Sequence, residues 1–350
     1  MRRISQIATV GLCVFTRTPA IALWIAFISI IFSPWNPDVS AKHEPCHHDE
    51  AEARREGQVV VFTTVPEIFT VQISRWIREE KPDIKVTFVR YRSDAELLAA
   101  IRQKSGGDVV LSSFFVTASL KREGGDYPCP QERERYPATE NRADREGSWT
   151  AFVLIPRVIA YNASVVPVSK LRNLQELVSA RDLPGKIMVP ANDVFWFYGV
   201  DSFLGKEKFR SVLADIRMSQ PVVISGATPM LNALAAREGV VALAADLPTV
   251  LSFKERGAPI DYLTFSPVVT SAYALTGLKT SSHPNAGREF MKILLAKRTQ
   301  EKNREFRGYV AADKLVESGA PKLRQEELFI PDPAKYLSEF PRLRAEYRVQ

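Results

Sequence analysis

The chain has 350 residues, of which 45% are hydrophobic and 25% charged, and its net charge is +7 at neutral pH. A chain of this length and composition can bury a large core and is expected to form about two domains. Its charges alternate in sign and form no block of about five or six like charges, which argues against nucleic acid or a membrane surface as a partner. The sequence is therefore expected to fold into a protein with a solvated surface.

The first part of the chain has the pattern of an export signal. Three arginines precede an apolar run over residues 20–32, and two prolines follow it. This run is shorter than the ~20 residues that a membrane span needs, and small residues follow at 39–41. Residues 1–41 are predicted to be a cleaved signal peptide, followed by a flexible tail over 42–57. The alternative is an uncleaved anchor; either way, the rest of the chain is expected in the periplasm.

Strand and helix patterns alternate after this tail. Strand patterns at residues 58–62, 84–89 and 108–111 are separated by helical patterns at 67–80 and from Asp94 onward. This order predicts a parallel sheet with right-handed crossovers.

The middle of the chain repeats the same order after a break. Residues 121–148, rich in charge, proline and glycine, are predicted to form a surface loop, and a strand pattern over 152–161 suits a crossing between lobes. A helix over 285–306 and a polar tail end the chain. Between the crossing and that helix, further strand patterns lie at residues 186–190, 222–224, 239–244, 259–265 and 268–275.

These patterns predict an α/β protein with two lobes. The first lobe is discontinuous and comprises residues 58–155 and 268–350, and the second comprises residues 156–267. In open α/β sheets, ligands bind beyond the carboxyl ends of the strands. We therefore expect a site between the two lobes, built from the residues that follow the strands.

Small polar residues follow four of the predicted strands. Hydroxyl and amide groups at helix starts suit oxygen-rich or anionic ligands. The alternative is that these residues are ordinary helix caps, and Thr64 with Glu67 has the spacing of a capping box. The candidate ligand-binding residues at the four strand ends are Thr63, Thr64, Ser112, Ser113, Asn192, Asp193, Ser225 and Thr228.

Three further candidates have other chemistry. Tyr161 and Tyr198 can line a pocket wall, as aromatic residues often do, although core packing is the alternative for Tyr198. Asp246 ends a predicted strand and can face a cationic group of a ligand, with a surface ion pair as the alternative. All three are expectations for the same cleft.

The sequence has few residues and motifs that are typical of catalytic sites. His283 is the only histidine after the tail, and none of the common nucleophile, phosphate-loop or dinucleotide motifs occurs. No enzyme activity and no cofactor are expected. The tail holds weak candidate metal ligands, and an exported Cys46 can pair with Cys129. The tail candidates are His43, Cys46, His47 and His48.

Several motifs in this order resemble one family. They are residues 59–64, the Gly147-Ser148-Trp149 stretch leading into residues 158–162, the segment around 183–187, and residues 282–286 with the helix that follows. Over residues 58–316 the chain resembles the extracellular solute-binding proteins of ABC importers, which have the type 2 periplasmic-binding-protein fold and include the ferric-iron-binding proteins. The resemblance implies two lobes with mixed sheets, joined by hinge crossover strands, that close on a solute.

The resemblance also implies a function. The protein would be a monomeric binding component that delivers its solute to an ABC permease in the cytoplasmic membrane. Ferric-binding members carry adjacent tyrosines where this chain has Ala245 and Asp246. The expected solute is therefore open between iron(III), a small organic or phosphorylated compound, and a cation. An exported solute sensor or metal-handling protein with a membrane receptor is the alternative.

Overall fold

The computed structural model describes residues 49–103, 106–128, 136–166, 173–180, 183, 186–191, 193–317, 320 and 323–347. No helix among these residues is long and apolar enough to cross a membrane. Some of the predictions fall outside them: the signal peptide over residues 1–41, the tail residues His43, Cys46, His47 and His48, the candidate Asn192, and Cys129.

The strands of the described residues follow the apolar patterns of the sequence. Buried Val, Ile, Leu and Ala residues dominate the central strands because helices pack over them. The strands are β1 (Gln58–Thr63), β2 (Lys85–Arg90), β3 (Val109–Ser113), β4 (Asp126–Tyr127), β5 (Thr150–Asn162), β6 (Ile187–Pro190), β7 (Val222–Ile224), β8 (Val241–Asp246), β9 (Ile260–Leu263), β10 (Val268–Leu278), β11 (Val310–Ala311) and β12 (Leu328–Phe329).

Helices connect most of these strands, and several have side-chain caps. Ser93, for example, accepts a hydrogen bond from the N–H of Glu96 at 3.2 Å, as its spacing predicts. The helices are α1 (Glu50–Glu56), α2 (Glu67–Glu80), α3 (Asp94–Arg102), α4 (Phe114–Glu123), α5 (Leu174–Ser179), α6 (Val194–Leu204), α7 (Lys206–Met218), α8 (Ala227–Ala235), α9 (Leu247–Glu255), α10 (Pro284–Leu295), α11 (Lys297–Lys302) and α12 (Pro333–Glu346).

The strands form a mixed arrangement in the order β2-β1-β3-β10-β5-β8-β6-β7. The β1 strand pairs in parallel with β2 and β3, and β6 pairs in parallel with β7 and β8. The antiparallel strands β10 and β5 lie between these two parallel groups. The order therefore gives two α/β lobes whose strand ends can face each other.

The long strand β5 belongs to both halves of this arrangement. Its residues up to Pro156 pair with β10, whereas the residues from Arg157 onward pair with β8 and β9. This is the predicted crossing strand, and the change of partner at Arg157 places that side chain at the junction of the lobes.

Three predictions of local structure are wrong in detail. The predicted helix over 285–306 is broken at Ala296, which has an extended backbone between α10 and α11. The stretch 121–148 is not simply a surface loop, because Tyr136 and Arg142 are buried in it. The predicted polar tail contains α12, whose apolar side packs on α4 and α6.

Candidate functional site

A carboxylate lies among the hydroxyl groups at the strand ends of the first lobe. The Thr64 hydroxyl donates to Asp94 Oδ1 at 3.0 Å and lies 2.6 Å from the Ser112 hydroxyl. The Ser113 hydroxyl donates to Asp94 Oδ2. Asp94 is in the first turn of α3, so this helix start brings the acceptor to the ends of β1 and β3. We call Asp94, Thr64, Ser112 and Ser113 the hydroxyl cluster.

The predicted capping role of Thr64 does not hold. Helix α2 begins after Pro66 and has no side-chain cap, so the Thr64 hydroxyl is free to bind Asp94 instead. The neighbouring Thr63 is fully buried, donates to the carbonyl of Leu111 at 2.6 Å and accepts from the N–H of Val65 at 3.1 Å. Thr63 thus shapes the strand end and does not face the space between the lobes.

An ion-paired group lies at the strand ends of the second lobe. Nη1 of Arg157 is 2.9 Å from Asp193 Oδ2 and 2.8 Å from Asp246 Oδ1. Asp193 also caps α6 by accepting from the N–H of Trp196 at 3.3 Å. We call Arg157, Asp193 and Asp246 the ion triad. One guanidinium therefore serves two carboxylates that end β8 and begin α6.

The ion triad has an excess of negative charge in a poorly hydrated place. The Asp246 side chain is 25% exposed, and its buried Oδ1 has the guanidinium of Arg157 as its ion-pair partner. Burial raises the pKa of Asp246; Arg157 acts in the opposite direction, and Asp193 adds to the rise. For Arg157, burial opposes the charge, but Asp193 and Asp246 together raise its pKa. The raised pKa of Asp246 thus comes first from burial, and that of Arg157 from its two neighbouring acids.

Two tyrosines lie between the hydroxyl cluster and the ion triad. Tyr273 of β10 is a partner of Ser113 across the sheet, and Tyr309 hydrogen-bonds to it with ring centroids 6.1 Å apart. Burial raises the pKa of Tyr273 to about 12, and the carboxylates of Asp246 and Asp94 both contribute to the rise. Since Asp94 comes from the first lobe and Asp246 from the second, the two groups face one region.

Aromatic rings fill the space between the lobes on one side of this region. Phe115 of α4 and Phe195 of α6 have ring centroids 5.0 Å apart, and Tyr336 of α12 lies 5.2 Å and 5.3 Å from them. The starts of α4 and α6 are therefore in contact through these side chains, and Tyr336 of α12 packs against both.

A cavity of about 430 Å³ lies on another side, between the start of α2 and the starts of α8 and α9. Ile68, Thr228 and Tyr309 are among its lining residues. Beside it, residues 306–309 run close to α9, where a Cβ on Gly308 would lie 2.7 Å from Cα of Pro248. A cavity of this volume falls in the usual range of about 300–1,000 Å³ for small-molecule sites.

The other predicted site residues lie either beside the cavity or at the far end of a strand. Ser225 and Thr228 are exposed at the start of α8, where Thr228 lines the cavity. Tyr161 is 5% exposed and pairs with Val241 at the beginning of β8, whereas Arg157 pairs with Asp246 at its end. The structure therefore places Tyr161 at the far end of the strand from the ion triad.

Tyr198 is part of the aromatic packing. It is 6% exposed, its ring centroid is 5.6 Å from that of Tyr336, and burial raises its pKa to about 12. This is the core position that the sequence left open as the alternative.

Sequence reasoning missed five residues of this region. Asp94 was identified only as a helix start, and Arg157 and the three tyrosines lay in predicted segments without being singled out. A charged residue inside an otherwise apolar crossing strand was the signal for Arg157, because such a charge needs partners. The missed residues are Asp94, Arg157, Tyr273, Tyr309 and Tyr336.

His283 has a structural role at the start of α10. Asp108 accepts from the N–H and Nδ1 of His283, both at 3.0 Å, from the Ser281 hydroxyl at 2.7 Å and from the N–H of Val60 at 2.8 Å. The serine donates to the carboxylate and not to the imidazole, so this is not the geometry of an activated nucleophile. The other ring nitrogen of His283 lies 2.9 Å from Gln58 Nε2.

Burial opposes the charge of Asp108, but hydrogen bonds from Val60, Ser281 and His283 together lower its pKa below the ordinary value. In the part of the chain that the structure describes, no group of three or more His, Cys, Asp or Glu side chains is placed to hold a metal ion.

No protein-family model matches the sequence, and no curated protein matches it. Solved structures, however, match over most of its length. A ferric binding protein from Campylobacter jejuni is 15% identical, with a TM-score of 0.67 over 83% of this chain and 99% of that one. IdiA (FutA) from Trichodesmium, in complex with iron and citrate, is 14% identical, with a TM-score of 0.71 over 84% of this chain and 100% of that one.

A third similar structure holds a different solute. The periplasmic binding protein AfuA from Actinobacillus pleuropneumoniae, with fructose-6-phosphate bound, is 16% identical, with a TM-score of 0.64 over 83% of this chain and 97% of that one. The chain therefore has a two-lobed α/β fold. It is the fold of the periplasmic binding proteins of the ferric-binding type, as the sequence motifs indicated.

Proposed function

We propose that this chain is the substrate-binding component of an ABC importer and captures a small, positively charged solute between its two lobes. The observation that carries the proposal is the meeting of carboxylates from both lobes at Tyr273. Asp94 and Asp246 both contribute to the raised pKa of that side chain, and the one guanidinium that reaches Asp246 is shared with Asp193. A cationic group of a solute would compensate the remaining negative charge.

The charge of the region favours a cation over a phosphate. Asp193 and Asp246 share the single guanidinium of Arg157, and Asp94 is held by hydroxyl groups. The hydroxyls of Thr64, Ser112 and Ser113, which were expected to bind oxyanions, already donate to Asp94 or to one another. At these strand ends an ammonium or amidinium group would meet matching partners, whereas a phosphate would have to reach Arg256 and Arg307, which line the adjoining cavity.

Iron(III) is the second candidate. Tyr273 and Tyr309 lie beside Asp246 and offer phenol oxygens together with a carboxylate, which are hard ligands suited to a hard cation. Burial raises the pKa of both tyrosines, so binding of iron through them would release protons and would weaken steeply as the pH falls.

The similar structures named as periplasmic or ferric binding proteins support an extracytoplasmic, non-enzymatic role with a membrane permease as the partner. The export pattern of residues 1–41 agrees with this location. A sensor that passes its solute to a receptor would have the same cleft. Loss of uptake of the labelled solute on deletion of the gene supports the importer, and unchanged uptake contradicts it.

A thermal-shift panel tests the class of solute. Spermidine, ferric citrate and glucose 6-phosphate are each added to the purified protein, and a solute at about 100 times its Kd should stabilise the fold by about 2.7 kcal/mol. We expect spermidine to raise Tm most and glucose 6-phosphate least. Ferric citrate alone raising Tm would select the second candidate, and a shift with glucose 6-phosphate alone would contradict a cation site.

A bulky substitution locates the binding. Thr228→Trp fills the mouth of the inter-lobe cavity from an exposed position, and Thr87→Trp places the same side chain on an exposed position of β2 as the control. The Thr228→Trp variant should lose the shift and the control should keep it. Equal shifts in both variants would show that the solute binds elsewhere.

A further inference from the structure

A second cavity, of about 550 Å³, lies inside the second lobe. It is enclosed by α5, α6, α7 and the segment that joins β9 to β10, and it shares no lining residue with the inter-lobe cavity among the residues described. Its walls are mainly aromatic and aliphatic, including Trp196, Val200, Phe203, Leu263 and Phe265. The cavity is thus large enough for a small molecule and apolar enough to exclude a well-hydrated one.

The charged groups at this cavity are all positive. Arg157 and Lys208 are its only charged lining residues in the described parts of the chain. Lys208 is exposed on α7 and forms no ion pair with a described residue. Arg157 uses Nη1 for the ion triad, but its Nε is buried and has no hydrogen-bond partner among the described residues. A buried donor without an acceptor is costly, and an acceptor on a bound molecule would remove that cost.

The remaining polar lining residues are neutral. Asn173, Gln175, Ser211 and Ser266 offer amide and hydroxyl groups, and no carboxylate is among the described lining residues. Among the described residues, the cavity therefore combines an apolar body with two cationic side chains, of which Arg157 is already paired with Asp193 and Asp246 and Lys208 is not. That combination complements a molecule with an apolar part and one anionic group.

We propose that this second-lobe cavity binds a small organic anion with an apolar body, of the class of medium-chain or aromatic carboxylates and sulfonates. The anionic group lies toward Lys208 and Arg157, and the apolar part packs between α6 and the β9–β10 segment. The two cavities share no lining residue among those described, and Arg157 is the one side chain that belongs both to this cavity and to the ion triad.

Fluorescence of 8-anilinonaphthalene-1-sulfonate gives a direct test, since this probe has an apolar ring system and a sulfonate. The folded wild-type protein should bind the probe saturably, and decanoate should displace it. Decylamine, which has the same chain length and the opposite charge, should displace it much less. Equal displacement by decylamine and decanoate would overturn the preference for an anion.

Two pairs of variants on α7 locate the probe. Ser211→Trp blocks the mouth of the cavity, whereas Ala214→Trp adds the same side chain at an exposed position that does not line it. Lys208→Glu reverses a lining charge, and Lys206→Glu reverses a charge at the start of the same helix. Circular dichroism and urea unfolding establish that each variant folds.

The Ser211→Trp variant should lose probe binding and Ala214→Trp should keep it. Lys208→Glu should weaken binding of the probe and of decanoate about fivefold relative to Lys206→Glu. Equal behaviour within either pair would overturn the proposal. Thr228→Trp serves as a separate control: it should leave probe binding unchanged, and loss of binding in that variant would place the probe between the lobes instead.

Discussion

The strand ends of the two lobes begin from similar sequence signals and reach opposite electrostatic solutions. In the first lobe, the carboxylate of Asp94 is held by the hydroxyls of Thr64, Ser112 and Ser113 and has no ion pair with a described residue. In the second lobe, Asp193 and Asp246 are held by the guanidinium of Arg157. The difference shows that the role of a small polar residue after a strand cannot be told from its residue type alone. The role depends on which charged group the rest of the fold brings to it.

The comparison also explains why the region keeps an excess of negative charge. Hydrogen bonds from hydroxyl groups stabilise a carboxylate without neutralising it, and one guanidinium cannot neutralise two carboxylates. A cationic solute between the lobes would compensate the negative charge of the hydroxyl cluster and of the ion triad at once.

Removal of Arg157 should have the largest effect. Arg157→Met leaves Asp193 and Asp246 close together without a cation, so the free energy of unfolding should fall by about 3–5 kcal/mol. Urea denaturation at neutral pH measures the loss. Arg75→Met, which breaks an exposed pair with Glu305, is the control and should cost at most about 1 kcal/mol. Similar losses in the two variants would mean that the ion triad is no more than a surface pair.

Removal of Asp94 should have a smaller effect. Asp94→Ala leaves the hydroxyls of Thr64, Ser112 and Ser113 without their acceptor, and Ser112 is fully buried. The free energy of unfolding should fall by about 1–3 kcal/mol. Asp94→Asn keeps an acceptor oxygen and should lose less. A loss in Asp94→Ala as large as that in Arg157→Met would contradict the claim that the two lobes stabilise their carboxylates differently.

Measurement of the pKa of single carboxyl groups compares the two lobes without changing the fold. Asp108 belongs to the same half of the sheet as Asp94 and is also held by hydrogen bonds, which lower its pKa although burial opposes its charge. Burial raises the pKa of Asp246 despite Arg157. Carbon-13 NMR should therefore find Asp108 titrating below the ordinary carboxyl pKa of about 3.9 and Asp246 above it. Asp108→Asn and Asp246→Asn assign the signals.

The two shifts have opposite consequences for stability. The contribution of Asp108 is fully present above its unfolded pKa and is lost as the pH falls through its lower folded pKa. Asp246 costs stability above its raised folded pKa, and that cost disappears as the pH falls. Titration of both groups at the same pH would contradict the account of their surroundings.

The sequence predicted the fold well because the fold rests on patterns that are local. Alternating apolar strands, capped helix starts such as Ser93 and the crossing strand all depend on neighbouring residues. The break at Ala296 and the helix α12 were missed because they depend on packing against distant elements, α12 against α4 and α6.

The candidate site was only partly predictable for the same reason. Thr64, Ser112, Ser113, Asp193 and Asp246 were named as candidates because they follow strands, and they lie in the hydroxyl cluster and the ion triad. Their partners were not named, since Asp94 reaches Ser113 from 19 residues away and Arg157 reaches Asp246 from a strand that crosses between the lobes. Thr63 and Tyr161 carry the same residue types and yet are buried elsewhere, which residue type alone could not distinguish.

Calorimetric titration of spermidine into the wild-type protein and two single variants tests the central claim most directly. If one solute contacts carboxylates of both lobes, Asp94→Asn and Asp246→Asn should each weaken binding about tenfold. Asp83→Asn, which removes a charge from an exposed pair with Arg54, should leave the affinity unchanged. Wild-type affinity in either cleft variant, or equal losses in all three, would contradict capture of a cation between the lobes.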